Sequence, residues 1–171
     1  MPEITIKMDG ADAVRERLRE ISSRVSNMSP IMKAIGDRIV EQTKKRFEAG
    51  GPAPDGTPWV KPKTPNPKRR GTLRVSDQLR DSIRAQMIGN NAVAIGTNKI
   101  YAAIHHFGGR TAAHIIRPRN KKALFWPGAG HPVKSVKHPG SVLPARPFLG
   151  LSRENSDELL GIINEWIMGR R

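Results

Sequence analysis

Two adjacent histidines, His105 and His106, stand in the stretch YAAIHHFGGR beside Gly108 and Gly109. Paired imidazoles invite a metal-binding or proton-transfer reading, but the spacing argues against both. On a helix, neighbouring side chains diverge by about 100°, whereas chelating histidines sit at i and i+4, as in H-E-x-x-H. His114, His131 and His138 fall in segments that read as strands or loops with no acid nearby, so an all-histidine zinc site is not favoured. The expectation is that one ring packs against the body while the other faces solvent or a neighbouring subunit.

The remaining routes to chemistry are thin. The chain has no cysteine, which removes disulfides, thiolate metal ligands and cysteine nucleophiles. Its acids lie almost wholly in the terminal helical regions, interleaved with arginines as in VRERLREISSR, and read as surface ion pairs rather than an acid–base couple. G-x-S-x-G, G-x-G-x-x-G and Walker motifs are absent. A non-enzyme without catalytic residues, metal or cofactor is therefore expected. No apolar run approaches the roughly 20 residues needed to span a bilayer, and MPEITIKMDG lacks a signal-peptide pattern. Synthesis in the cytoplasm and no membrane partner are expected.

Charge is the dominant feature. The 171 residues hold 30 Lys and Arg against 15 Asp and Glu, a net charge of +15. From Ser82 to Arg153 there is no acid at all. Such a field suits a polyanion or an acidic protein surface, although a basic face can also serve solubility alone. The candidate contact residues are Lys68, Arg69 and Arg70 in one loop, with Arg117, Arg119, Lys121, Lys122, Lys134 and Lys137 further on. No zinc finger, RNA-recognition motif or helix-turn-helix is visible, so DNA contact would be backbone-directed and sequence-blind.

The elements that must position these residues follow from periodicity. EITIKM alternates and predicts a short strand. Val14, Leu18, Ile21 and Val25 form one apolar stripe on a first helix, with Asp9 or Asp12 as its cap. Ser29 and Pro30 open a second helix, with Met32, Ile35, Ile39 and Phe47 inward and Gly50-Gly51 as its stop. Residues 51–71 are rich in proline and predict a flexible basic loop, anchored by Trp59 after an Asp55-Gly56 turn. SDQLRDSI reads as a short helix capped by Ser76. AQMIGNNAVAIGT reads as a hairpin, and Asn98 caps a short helix that ends at Gly108. AHIIRPRNKKALFWPG reads as a second hairpin with Asn120-Lys121 at its tip. Asn155 and Glu158 form a capping box for the last helix, which is striped by Leu159, Ile163 and Trp166. The sum is a single α+β domain over residues 1–171. N-terminal helices and a C-terminal helix pack on a small, mainly antiparallel sheet, and a long Pro-rich basic loop is excluded from it.

YAAIHHFGG, followed downstream by PARPFLGLS and a final amphipathic helix, resembles the phage virion morphogenesis family, the tail-completion proteins of the kind found in phages Mu and P2. PDGTPW and LRVSDQLRDSI add to the resemblance, which runs from about Ile4 to Ile167. One departure is RVSDQLRDS, where the family pattern leads one to expect Gly in place of Asp77 or Gln78. The resemblance implies a structural virion protein acting late in assembly at the head–tail junction or the head-proximal end of the tail. It implies a ring-forming homo-oligomer, expected to be a hexamer, around the DNA channel. Neighbouring head-connector or tail-tube proteins are the expected partners, with nonspecific contact to genomic DNA. The runner-up is a sequence-nonspecific DNA-binding accessory protein of a phage or prophage. On this reading Tyr101, Ile104 and Phe107 anchor a short helix, Gly108 turns the chain out of it, and Trp59, Phe148, Leu149 and Trp166 are structural anchors.

Overall fold

A computed structural model describes residues 10–63, 66, 68 and 70–169. The strand expected within EITIKM, and a cap at Asp9, lie outside the described residues. Helix α1 (Ala11–Ser26) starts after Gly10, and Asp12 sits inside its first turn, paired with Arg15 at 2.8 Å. Helix α2 (Ser29–Ala49) holds Pro30 in its first turn and ends at Gly50, whose φ of 76° is left-handed. Ser29 does not cap α2. The Asn27 side chain accepts from the Ser29 amide at 3.3 Å instead, because an asparagine two residues earlier can reach that free N–H.

Helix α2 is the spine. Its buried residues include Ile31, Ile35, Gly36, Thr43 and Phe47. Across them lies an antiparallel hairpin, β1 (Arg84–Ile88) and β2 (Ala92–Gly96), joined by the Gly89-Asn90-Asn91 turn predicted from sequence. The helix lies so close that a Cβ at Gly36 would stand 2.7 Å from Val93 Cγ2. Helix α5 (Arg153–Met168) covers the other flank, where Leu159 packs with Ile31 and Ile35, and Ile163 and Trp166 pack beside them half-buried. The second cluster gathers Phe47, Ala53, Trp59, Leu79, Ile83, Ala102 and Phe148, with Leu149 and Leu73 at its margin. The fold is α+β, with three two-stranded antiparallel sheets among the described residues.

Three further helix starts differ from expectation. Ser152, not Asn155, caps α5: its side chain accepts from the Asn155 amide at 3.1 Å, and the Asn155 side chain accepts from the Ser152 amide. Asparagine stands where the box usually has Glu or Gln, and Glu158, which lies outside the box, accepts from Arg38 and Gln42 of α2. Helix α3 (Gln78–Asp81) has no side-chain cap from Ser76. Asp77 precedes it in a left-handed conformation, φ 56°, with its carboxylate on Arg74 at 2.8 Å. Asp77 is one of the two positions, with Gln78, where the resemblance leads one to expect glycine, and its left-handed backbone is one that glycine adopts without strain. The Arg74 guanidinium, with Arg80 and Arg70 nearby, holds the Asp77 carboxyl below the usual carboxylate range. Helix α4 (Ala102–Phe107) begins after Tyr101, and exposed Asn98 does not cap it.

Helix α1 contributes no buried residue. Its predicted apolar stripe is real, but Val14 is 61 % and Leu18 60 % exposed. The helix touches α5 mainly through Arg17, which donates to the Met168 carbonyl, and Arg24, which donates to the Ile167 carbonyl at 2.9 Å.

The tripeptide Arg146-Pro147-Phe148 ties the remaining pieces together. Trp59 Nε1–H donates to the Pro147 carbonyl at 2.9 Å, which pins the Pro-rich segment to the body. Arg46 of α2 donates to the Phe148 carbonyl at 2.7 Å, and Arg146 Nε donates to the Val60 carbonyl at 2.8 Å. The Arg146 amide donates to the His105 carbonyl at 2.9 Å, and the Phe148 amide to His106 Nδ1 at 3.3 Å. The Phe148 ring lies between Phe47, centroids 5.2 Å apart, and His106, 4.9 Å apart.

Two outcomes follow from this knot. Phe148→Ala should cost about 3–5 kcal/mol in chemical denaturation, the range for emptying a packed aromatic site; a change within error would make the segment peripheral. Burial lowers the His106 pKa, and burial with nearby Arg146 lowers that of His105. Both rings therefore bind protons more weakly folded than unfolded. Stability should be full above the unfolded histidine pKa of about 6.5 and should fall as pH drops below it, levelling off beneath the folded values. His106→Asn, which keeps an acceptor but cannot titrate, should flatten part of that slope in melts recorded across the acid range.

Candidate functional site

The middle of the acid-free span does not join the core, although Ile83, Ala102 and Phe148 at its two ends do. Immediately after α4 the chain leaves the body at Gly108, whose φ is 73° and where a Cβ would stand 2.7 Å from the Ala145 amide nitrogen. Only glycine fits there. Four short strands then pair in nested fashion. Strand β3 (Gly109–Arg110) pairs with β6 (Val142–Leu143), and β4 (His114–Ile116) pairs with β5 (Val136–His138). Gly109 faces Leu143 and Ile116 faces Val136, so one antiparallel register runs along both ladders. Residues 109–143 thus form one long arm folded back on itself.

Local chemistry fixes the base and the tip. At the base, the Thr111 amide donates to the Ser141 carbonyl at 2.9 Å, and the Ser141 amide to Thr111 Oγ1 at 2.8 Å. Gly140 lies against the Thr111 carbonyl, where any side chain would collide. The His114 and His138 rings stack at 5.0 Å across the ladder, and His138 Nδ1 accepts from the Gly140 amide at 3.1 Å. Further out, Leu124 and Val133 exchange backbone hydrogen bonds of 2.8 and 3.0 Å. Between them the Ala129 amide donates to the Trp126 carbonyl at 2.9 Å, around Pro127 and Gly128. Proline then glycine with φ 92° is the signature of a type II turn.

That turn corrects the predicted second hairpin. Asn120-Lys121 is not its tip, and His114–Ile116 does not pair with the ALFW segment. Pro118 lacks an amide hydrogen and interrupts the first strand, so the chain reverses at the stronger Pro127-Gly128 signal. Reading that dipeptide as the turn would have recovered the arm from sequence.

No residue from Ala103 to Ala145 is buried. The arm carries Arg110, Arg117, Arg119, Lys121, Lys122, Lys134 and Lys137 and no carboxylate. All seven are exposed, but only Lys137 and Arg110 lie within ladders; the others sit in the outer turns, so strand alternation does not align them on one face. Apolar groups accompany them: Phe125 at the tip is 67 % exposed, and Trp126, Ile115 and Ile116 are exposed as well.

The other contact candidates stand on a different element. Lys68 is exposed, and Arg69 lies outside the described residues. Arg70 is turned toward the body: its amide donates to the Arg74 carbonyl at 2.8 Å and its guanidinium to Asp77 at 3.2 Å. Among the named anchors, Trp59 and Phe148 are buried, while Ile104, Leu149 and Trp166 are half-buried. Tyr101 and Phe107 do not anchor α4 within the subunit. Phe107 is 77 % exposed, because a six-residue helix rooted by Ala102 and His106 has only one side to bury. His105 and His106 are packing groups: the first meets the Tyr101 ring edge-on at 5.9 Å, the second holds Phe148. Among the described residues no cluster of three His, Asp or Glu could hold a metal ion, and no helix is long and apolar enough to cross a membrane.

Over 165 residues the chain is 29 % identical to the Mu-like prophage FluMu G protein 2 of Haemophilus influenzae, covering 95 % of each chain. No solved structure matches. The profile of the phage virion morphogenesis family matches residues 9–168, which takes in the helical body, the Trp59 segment, the arm and α5 alike. The chain belongs to the phage virion morphogenesis family, and its role is in the assembly of a phage virion.

Proposed function

We propose that this chain is a non-enzymatic structural protein that acts late in assembly at the head–tail junction, as a tail-completion or connector component, and forms an oligomeric ring around the DNA channel. Six copies are the expected number. One observation carries the reading: a firmly rooted arm, residues 109–143, that is basic, partly aromatic and buried nowhere in its own subunit. Exposed apolar groups at this density suit a surface that a partner covers. A long excursion from a small body suits a protein whose neighbours lie at fixed positions.

Two uses of the arm's charge compete. Lining a channel requires only weak, nonspecific attraction, because DNA must slide past. Docking on an acidic virion protein requires specific ion pairs, and the tip aromatics Phe125 and Trp126 would then supply desolvated contact area. Docking is the better account, since tight DNA binding would hinder ejection. A sequence-nonspecific DNA-binding accessory protein would instead bind free DNA with affinity that falls steeply with salt, and would form no discrete ring without it.

The double substitution Lys121→Glu with Lys122→Glu distinguishes these uses. Both residues are exposed, so subunits should still fold and oligomerise, while heads and tails accumulate unjoined in particle counts by electron microscopy. Normal yields of joined, full particles with altered DNA ejection would place the charge in the channel and end the docking reading.

A further inference from the structure

Helix α1 poses a problem that the rest of the subunit does not solve. Ala11, Val14, Leu18, Ile21 and Val25 recur at alternating spacings of 3 and 4 residues, a strict a/d seam. The 16-residue helix nevertheless buries nothing, and Val14, Leu18 and Val25 are exposed. A helix this short is marginal in water unless its apolar face is covered.

Helix α5 poses the matching problem. Its inward face packs on α2, but Leu160, 57 % exposed, and Met168 lie on the outward face. Between them Gly161 stands mid-helix, where glycine destabilises and where a Cβ would meet no atom within 4 Å. Gly36 of α2 is explained by the hairpin pressed against it; nothing in the subunit explains Gly161. The result is a notch on a mixed helix face, beside Leu160 and Met168 and with Glu154, Asp157 and Asn164 exposed on the same side.

We infer, building on the ring reading above, that self-association is made by the α1 seam of one copy lying on the outward face of α5 in the next. Charge selects this occupant. The seam is flanked by Arg15, Arg17 and Arg24, with Arg19 nearby, while the helix's own acids, Asp12, Glu16 and Glu20, stand outside those flanking positions and pair with the arginines within the helix. A second α1 would set arginine against arginine, and the arm, with seven cations and no acid, would be repelled likewise. The α5 face offers Glu154 and Asp157 to Arg15 and Arg19, and the Gly161 notch to Leu18. Two different patches on one chain make a heterologous contact, the kind that closes a ring when the rotation allows.

The chain's lack of cysteine permits a direct test in the full-length protein. Leu18→Cys combined with Gly161→Cys, both at exposed sites, should give under mild oxidation a ladder of covalent multimers that ends at the ring size. Covalent dimers from Leu18→Cys alone would show α1 against α1 and overturn the inference. Oligomers in sedimentation velocity without any covalent ladder would overturn this surface and leave the ring standing. A monomer at every concentration would end both. As a second measure, Asp157→Arg should weaken self-association roughly tenfold, and adding Arg15→Glu should restore it; no effect of either substitution would also overturn the inference.

Discussion

The peptide Arg146-Pro147-Phe148 is the constraint on which the rest of this structure depends. Five parts of the chain reach it: α2 through Arg46 and Phe47, the Pro-rich segment through Trp59 and Val60, α4 through His105 and His106, the base of the arm through Ala145, and α5 through the Gly150-Leu151 link that follows. Most of these ties are hydrogen bonds to backbone groups that would otherwise be buried without partners, so losing one leaves a costly orphan. The paired histidines belong here. One supplies an acceptor and a ring edge to Phe148, and the other supplies a carbonyl to Arg146. Their chemistry is structural: they tie the helix that precedes the arm to the peptide that follows it.

With the base held, the arm need not be stabilised by a core. Its ladders are short and its side chains lie in solvent, so its contribution comes from what it presents rather than what it buries. Placing seven cations and no acid there separates the charges of the molecule. Among the described residues the acids lie on α1, α2 and α5 and near α3, where arginines pair with many of them, and at Asp55, while the arm projects seven cations outward. A protein that builds virions by adding to existing surfaces benefits from that separation, because long-range attraction orients the encounter before any apolar contact forms.

Much of the body was legible in the sequence. The helical spacing of Met32, Ile35, Ile39 and Phe47 located α2, although Ile31 rather than Met32 is the buried residue of its first turn, and Gly89-Asn90-Asn91 located the hairpin. An isolated tryptophan in a proline-rich loop pointed to Trp59 as an anchor. The errors share physical causes. Caps at Ser29, Ser76, Asn98 and Asn155 were assigned by residue type, whereas Asn27, Ser152 and the left-handed Asp77 won by geometry that propensity does not encode. Periodicity located α1 correctly but could not say whether its stripe meets its own chain or another. In the arm, the basic Asn120-Lys121 stretch drew attention from the true reversal at Pro127-Gly128, and the break at Pro118 hid the pairing of His114–Ile116 with Val136–His138.

The central claim is that residues 109–143 are rooted in the subunit in order to contact another virion protein at the head–tail junction. Electron cryo-microscopy of the intact virion, with this chain located in the density, tests it most directly. The account predicts a ring of these subunits at the junction, with each arm seated on a neighbouring protein and its Phe125-Trp126 tip covered. A chain found elsewhere in the particle, or arms lying free in solvent at the junction, would contradict it.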